Sequence, residues 1–394
     1  MSNEKLSNEK LVNENLSKKQ QKNGPSPSDP DLEINTRSNN PRLKSGVRFW
    51  RSDLTHQLHI GTRFSNFLLP DRIGDLEIES ALAQLSKGSG SGRGELQVLC
   101  SILENLSLID DEYTQINYQY RSEENRDVAA SIRRSVAQES FLRRIRIESD
   151  GISRIPEVKD GGIRKILQRR EFAIRINGSG RIAFALLGAL IASGFDLCEI
   201  DDAVKVNSKD VIGGCIGKRD IGMAGTLKLD ELTMDASLYP EPRQISKQPD
   251  LMIAIGSPLP ELLEEWNRRR IPQLFIDFDH SGEIRIGPYV EPGNGACYNC
   301  VNIAEIELGR PLVSALRSAL GHDQNKSWTS ADELDVTAAL ATFAAGTLTL
   351  AIAEIADSRS SQFHEKTALF STLQFLEPQI TSWERSPRCS CNWI

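Results

Sequence analysis

The chain is short of the residues that usually announce chemistry. Its 394 residues include only five histidines, and no Ser/His/Asp or activated-cysteine arrangement can be recognised from spacing. His56 and His59 are three apart in a strand-like stretch, so they point to opposite faces and make a poor metal pair. His280, after "FIDFD", reads as a turn residue, with catalysis the alternative. No run approaches 18 consecutive apolar residues, and the opening "MSNEKLSNEKLVNENL" has neither the apolar core of a signal peptide nor the Arg-rich, acid-poor character of a transit peptide. These absences predict a cytoplasmic chain without a membrane span. Positive charge is also in deficit: 47 Lys and Arg face 54 Asp and Glu, a net charge of −7. That balance argues against nucleic acid as a partner.

What is there divides unevenly. Residues 1–40 carry a decaying repeat (SNEKL, SNEKL, VNENL) followed by Lys, Gln, Asn, Ser and Pro, and predict a disordered tail. Residues 41–118 begin with "GVRFWRS", "HQLHIG" and "NFLLPD", three short strand-like runs, and continue with the helical "LEIESALAQLSKG" and "RGELQVLCSILENLSLIDD". A meander followed by a helix pair predicts a small α+β, winged-helix-like module. Its second helix carries Glu95, Gln97 and Glu104 with only Arg93 ahead of it, so peptide binding is a better expectation than a DNA groove. Residues 119–165 are dense in Arg and Glu and predict a helical connector.

Residues 166–394 predict an α/β, Rossmann-like domain. In "EFAIRINGSGRIAFALLGALIASGFDLCEIDD" a strand leads through Gly178 and Gly180 into an apolar helix, and a second strand finishes at Asp201 and Asp202. Such a turn can bring backbone close to a phosphate, with a carboxylate placed for a ribose; plain helix–strand packing is the alternative use of the glycines. Cys297 and Cys300 form C-x₂-C, and Cys389 and Cys391 form C-x-C. Two such turns can close a tetrahedral zinc site with no open position, so a structural zinc is expected, ahead of a disulfide, a redox pair or unliganded thiols. Cys100 and Cys198 fall on apolar faces and read as core.

The glycine turn, the Asp pair, "KRDIGMAG", "IGPYVEPGNGACYNC", an apolar helix at 335–356 and a terminal cysteine pair occur in an order that resembles ThiF-like proteins, the ubiquitin-activating-enzyme fold, over residues 160–394. Adenylating members carry a Ser-Asn-Leu-x-Arg-Gln segment and a later Asp for Mg²⁺. Here the corresponding stretches are "KVNSKDVIGG" and "LMIAIGSPLP", without the Arg and without the Asp, which counts against ATP chemistry. With "RLKSGVRFWRSDLTHQLHIG…NFLLPD" in front, the chain resembles the degenerate ocin-ThiF type of azole and thiopeptide (TOMM) pathways. That resemblance implies a protein that binds the leader of a ribosomal precursor peptide and presents the core to a separate, ATP-using YcaO-type cyclodehydratase. It implies β-addition of the leader along Asn66, Phe67, Leu68 and Leu69, with a pocket from Leu96, Leu99, Cys100 and Leu103, for whose leucines plain core is the alternative, and allows a homodimer. The alternative is an active carboxylate-adenylating enzyme, with Gly178 and Gly180 at the phosphates, Asp201 or Asp202 on the ribose, and Arg181 or Arg219 as the cation.

Overall fold

The computed structural model describes residues 32–36, 41–52, 55, 57–61, 66–69, 75–86, 95–110, 114–118, 128–201, 203–237, 247–256, 258–278, 283–309, 336–372 and 375–393. The chain divides into two compact units, residues 1–43 with 47–143, and residues 44–46 with 144–394.

In the first unit, β1 (Leu32–Thr36) and β2 (Arg42–Leu43) precede a three-stranded meander of β3 (Arg48–Arg51), β4 (Leu58–Gly61) and β5 (Asn66–Leu68). Helices α1 (Asp75–Ser86) and α2 (Glu95–Asn105) follow, then β6 (Ile109–Asp110), paired with β2, and β7 (Thr114–Tyr118), paired with β1. The meander and helix pair stand where the alternating and helical apolar patterns place them. The core gathers Leu58 and Ile60 from the sheet with Leu82, Leu85, Leu99 and Leu103 from the helices. One expectation needs correction. Leu32–Thr36 lies inside the stretch expected to be a disordered tail, yet it is a strand in antiparallel register with Thr114–Tyr118. The period-two alternation of "LEINT" is a strand signal, diluted by the polar composition around it.

The connector expected over 119–165 is largely one 26-residue helix, α3 (Val128–Ser153), and the division between units falls within it, at Arg143 and Arg144. The second unit then runs α4 (Ile163–Arg170), β8 (Ile174–Asn177), α5 (Arg181–Ala192), β9 (Cys198–Ile200), α6 (Gly225–Ala236), β10 (Leu251–Ile255), α7 (Pro260–Arg268), β11 (Gln273–Phe278), β12 (Ile284–Val290), α8 (Tyr298–Glu307), α9 (Ala338–Ser358), β13 (Lys366–Phe370) and β14 (Gln379–Ser382). Seven strands form one sheet in the order β14-β13-β12-β11-β10-β8-β9. The β9, β8, β10 and β11 strands run parallel, whereas β12, β13 and β14 are antiparallel additions.

Burial on both faces explains why β10 and β11 read as continuous apolar runs. Ile253, Ile255, Leu274 and Ile276 enter one core with α5 and α9, while Met252, Ala254 and Phe275 enter another with Trp266 of α7 and Tyr298 of α8. The Phe275 and Tyr298 rings stack at 4.3 Å. By length and composition α9 could cross a membrane. Here its Leu340, Ala341, Ala344, Leu348 and Ile352 are buried in the same core as α5. Thr337 caps its start by accepting the N–H of Leu340, and Asp357 near its end takes a two-pronged bond from buried Arg169 of α4, at 3.1 and 2.7 Å.

Between β9 and α6 the chain makes a loop closed at its base, where the Val206 N–H donates to the Met223 carbonyl and the Gly225 N–H to that of Val204. Two 3₁₀ turns interrupt it. In each, a buried Asp reaches back to accept a backbone N–H at 2.7 Å, Asp210 from Asn207 and Asp220 from Gly217. Asp220 also faces the buried Lys228 ammonium at 2.9 Å. The Gly217 hydrogen bond, then Lys228, hold the Asp220 carboxyl below its ordinary range against the opposing effect of burial. A carboxyl lowered on folding stabilises the fold above its unfolded pKa and loses that contribution as pH falls through its folded one. Asp220→Asn should therefore cost about 2–3 kcal/mol near neutral pH, lowering Tm by roughly 5–10 °C. The deficit should shrink as pH falls below about 4, as thermal melts of both proteins across pH 3–7 would reveal.

Candidate functional site

The second unit brings the two cysteine pairs together. β12 ends at Val290, a short loop follows, and Cys297 sits at the N-cap of α8 with Cys300 one turn in. Cys389 and Cys391 arrive on the turn after β14. Their sulfurs lie at 3.7 Å (Cys297 to Cys300), 3.6 Å (Cys297 to Cys389) and 3.4 Å (Cys300 to Cys391), and all four fall within 4.8 Å of one another. Four thiolates about 2.3 Å from a tetrahedral zinc stand about 3.8 Å apart, so the cluster has the size and donor chemistry of a closed zinc site. No position is left for water or substrate, and such a metal would be structural.

The surroundings tie the same ends together. Arg385 Nε donates to the Gly295 carbonyl at 2.8 Å and Nη2 to that of Gly293 at 2.5 Å. Buried Trp383 donates its indole N–H to Thr367 at 3.0 Å, and Arg388 pairs with Glu307. Burial raises the Cys297 thiol and pushes Cys391 up to about 12. Burial opposes ionisation of Cys300 too, but hydrogen bonding at the Ser386 backbone and from the neighbouring cysteines brings it below the ordinary range. A divalent ion must displace protons here, so metal affinity rises with pH. Among the described residues no other group of His, Cys, Asp or Glu gathers in this way.

The glycine turn stands between β8 and α5. Gly178 has φ 129°, and a Cβ there would stand 2.5 Å from the Ile255 carbonyl oxygen; Gly180, at φ 96°, opens the first turn of α5 to empty space. Ser179 between them is 7% exposed with its hydroxyl unpartnered. Asp201 is exposed and accepts the Ala203 N–H at 2.9 Å, whereas Asp202 lies outside the described residues. Arg181 gives Nη1 to the Val336 carbonyl at 2.7 Å. Arg219, 85% exposed, lies beside Asp220. β10 runs into Gly256, and Ser257 after it lies outside the described residues. A cavity of about 840 Å³ beside β8 and β9 reaches Asn177 and Asp201, and is also lined by Arg175, Glu199, Thr226 and Trp266.

In the first unit, Asn66, Phe67 and Leu68 form a sheet edge, since β5 pairs with β4 alone among the described residues. Leu69 donates its N–H to Leu58 at 3.0 Å, so ladder alternation turns the N–H and C=O of Asn66 and Leu68 outward. The Leu68 side chain is 56% exposed, Phe67 is half-buried and Leu69 is buried. The helix side of the expected pocket differs from the forecast. Leu99 and Leu103 are 1% and 0% exposed, with Cys100 buried beside them, so they serve as core beneath the sheet and not as open walls. The Leu96 side chain lies outside the description. Helical periodicity identified the apolar face of α2 but could not say whether the sheet already covers it. Cys198 is buried as expected. The Asp220–Lys228 pair and the Arg385 clasp escaped notice because their partners are far apart in sequence or already balanced locally.

No protein-family model matches the chain, and no curated protein does. Among solved structures, it is similar to the microcin C7 biosynthetic enzyme MccB in complex with N-formylated MccA, with a TM-score of 0.59 at 12% identity over 89% of this chain and 99% of that one. E. coli MccB with ATP gives a TM-score of 0.57 at 12% identity over the same shares. PaaA gives 0.55 at 13% identity over 86% of this chain and 99% of that chain. The likeness shows that the chain shares the fold of MccB and PaaA.

The clamp makes a direct prediction. The purified chain should carry one zinc by elemental analysis, and Cys389→Ser should lose it. Losing about 3 kcal/mol of clamping would lower Tm by roughly 6–12 °C. Full zinc retention and an unchanged Tm in that variant would refute the assignment.

Proposed function

We propose that the chain is a leader-peptide-binding and scaffolding subunit, which captures a ribosomal precursor peptide and presents it to a YcaO-type, azoline-forming cyclodehydratase. The observation that carries this reading is the open β5 edge, with outward N–H and C=O groups at Asn66 and Leu68 and an exposed Leu68 side chain. An extended leader adding there gains backbone bonds from the edge and side-chain selectivity from Leu68 and half-buried Phe67. The module is winged-helix-like in this reading. The fold shared with MccB, which is solved in complex with MccA, supports a role in modifying ribosomal peptides.

The second unit then acts as a rigid partner and not as an adenylating centre. Stabilising attack of a carboxylate on an α-phosphate, with pyrophosphate leaving, requires cations aimed at developing charge. Near the glycine turn Arg181 is given to Val336, and the loop after β9 turns Asp210 and Asp220 inward. Carboxylate adenylation is the second reading. It is favoured by the unpartnered Ser179 hydroxyl, the open Gly180 turn, and the fold shared with an MccB structure that holds ATP.

Isothermal titration of the zinc-loaded, full-length protein separates the two. A cognate leader should bind at micromolar Kd or tighter, about −8 kcal/mol. Leu68→Pro, which removes one outward N–H without touching the bonds to β4, should weaken it at least about tenfold, 1.4 kcal/mol. Strong ATP–Mg²⁺ heat with carboxylate-dependent pyrophosphate exchange, and no leader binding, would establish the enzyme instead.

A further inference from the structure

The meander turns one face to the helices and the other outward. Leu58, Ile60 and Phe67 pack in the core, so alternation puts His59 and Gly61 of β4, with Asn66 and Leu68 of β5, on the outer face. Cross-strand register adds Trp50 opposite His59 and Arg48 opposite Gly61. The outer face therefore carries two rows that cross all three strands: Trp50, His59 and Leu68 in one, Arg48, Gly61 and Asn66 in the other.

The first row is largely apolar. The Trp50 ring stacks on His59 at 5.3 Å with 7° between planes, and exposed Leu68 ends the row at the free edge. The second row is a pair of donors around a gap. Gly61 contributes no side chain, so nothing from β4 stands between exposed Arg48 and exposed Asn66, which are two strand spacings, about 10 Å, apart. His59 Nδ1 and Asn66 Oδ1 lie 3.1 Å from each other. A carboxamide oxygen only accepts, so the proton of that bond is on Nδ1 and the Asn66 Nδ2 amide is left to donate. Arg48 has no carboxylate partner among the described residues. A guanidinium and an amide N–H facing one gap call for a carboxylate between them.

We propose that the β5 edge selects a leader segment of two apolar residues and one glutamate, whose carboxylate lies over Gly61 between Asn66 Nδ2 and the Arg48 guanidinium. The proposal rests on the leader-binding reading above. A strand added at β5 continues both rows, because residues opposite each other share a face. The residue opposite Leu68 lengthens the apolar row, the one opposite Asn66 enters the donor row, and the one between them turns to half-buried Phe67 on the other face. A carboxyl entering the donor row must cross Asn66, since Arg48 is three strand spacings, about 14 Å, from the leader backbone. Glu and Arg at full stretch span that distance, whereas Asp, one methylene shorter, falls short. The order is apolar–apolar–Glu for an antiparallel leader and Glu–apolar–apolar for a parallel one.

The test uses full-length protein and labelled peptides followed by fluorescence anisotropy, centred on Leu-Val-Glu or on the reverse Glu-Val-Leu, each with Gln, Asp and Lys counterparts at the Glu position. In the order that binds more tightly, the Glu peptide should exceed its Gln and Asp counterparts at least about tenfold, and rising salt should weaken the Glu peptide more than the Gln one. Arg48→Glu should invert the preference and favour the Lys peptide, a result that misfolding does not produce. Leu68→Pro should weaken the Glu and Gln peptides alike. An unchanged Glu preference in Arg48→Glu overturns the proposal. Equal binding of Glu and Gln peptides, both still lost in Leu68→Pro, overturns the carboxylate site and leaves leader addition at β5 intact. A cognate leader that binds when none of the peptides does also overturns this inference alone, whereas failure of peptides and leader together removes both readings.

Discussion

The convergence of four sulfurs is the constraint on which the second unit is arranged. Cys297 and Cys300 open α8, and Cys389 and Cys391 end a path that has passed through α9, β13 and β14. Bringing their sulfurs within bonding reach of one ion fixes where the antiparallel half of the sheet must finish. The Arg385 clasp and the Trp383–Thr367 bond reinforce that closure without metal. Loop-closure entropy of a long intervening segment is what such a clip offsets, and the cost rises only slowly with length.

The contrast between the two faces of chemistry in this unit is equally physical. Thiols converge on one point, whereas two carboxylates of the loop after β9 are turned inward to hold its own backbone. Asp210 and Asp220 each complete a turn, and Lys228 neutralises the second. Groups committed in this way are poorly placed to meet a nucleotide. At the glycine turn Gly178 approaches the Ile255 carbonyl too closely for any side chain, a demand of backbone packing. Shape alone supplies little electrostatic stabilisation of a transition state.

Much of this was legible in the sequence, for identifiable reasons. The β10 and β11 strands are short apolar runs with clear boundaries, and Pro260 marks the start of α7. The cysteine spacing pointed to the four-sulfur cluster because each pair places two donors on one turn. The strand at Leu32–Thr36 was obscured because its partner lies some eighty residues later, and local composition dominated the reading. Leu99 and Leu103 were located on the correct helix face, but a periodic pattern carries no information about how much of that face the sheet covers. The Asp220–Lys228 pair depends on a loop folding back on itself, which no fixed spacing encodes.

The middle position of β4 has a mechanical consequence. This strand of four residues supplies the bonds to both β3 and β5, so a change that breaks it releases both outer strands together, since among the described residues neither pairs with any other strand.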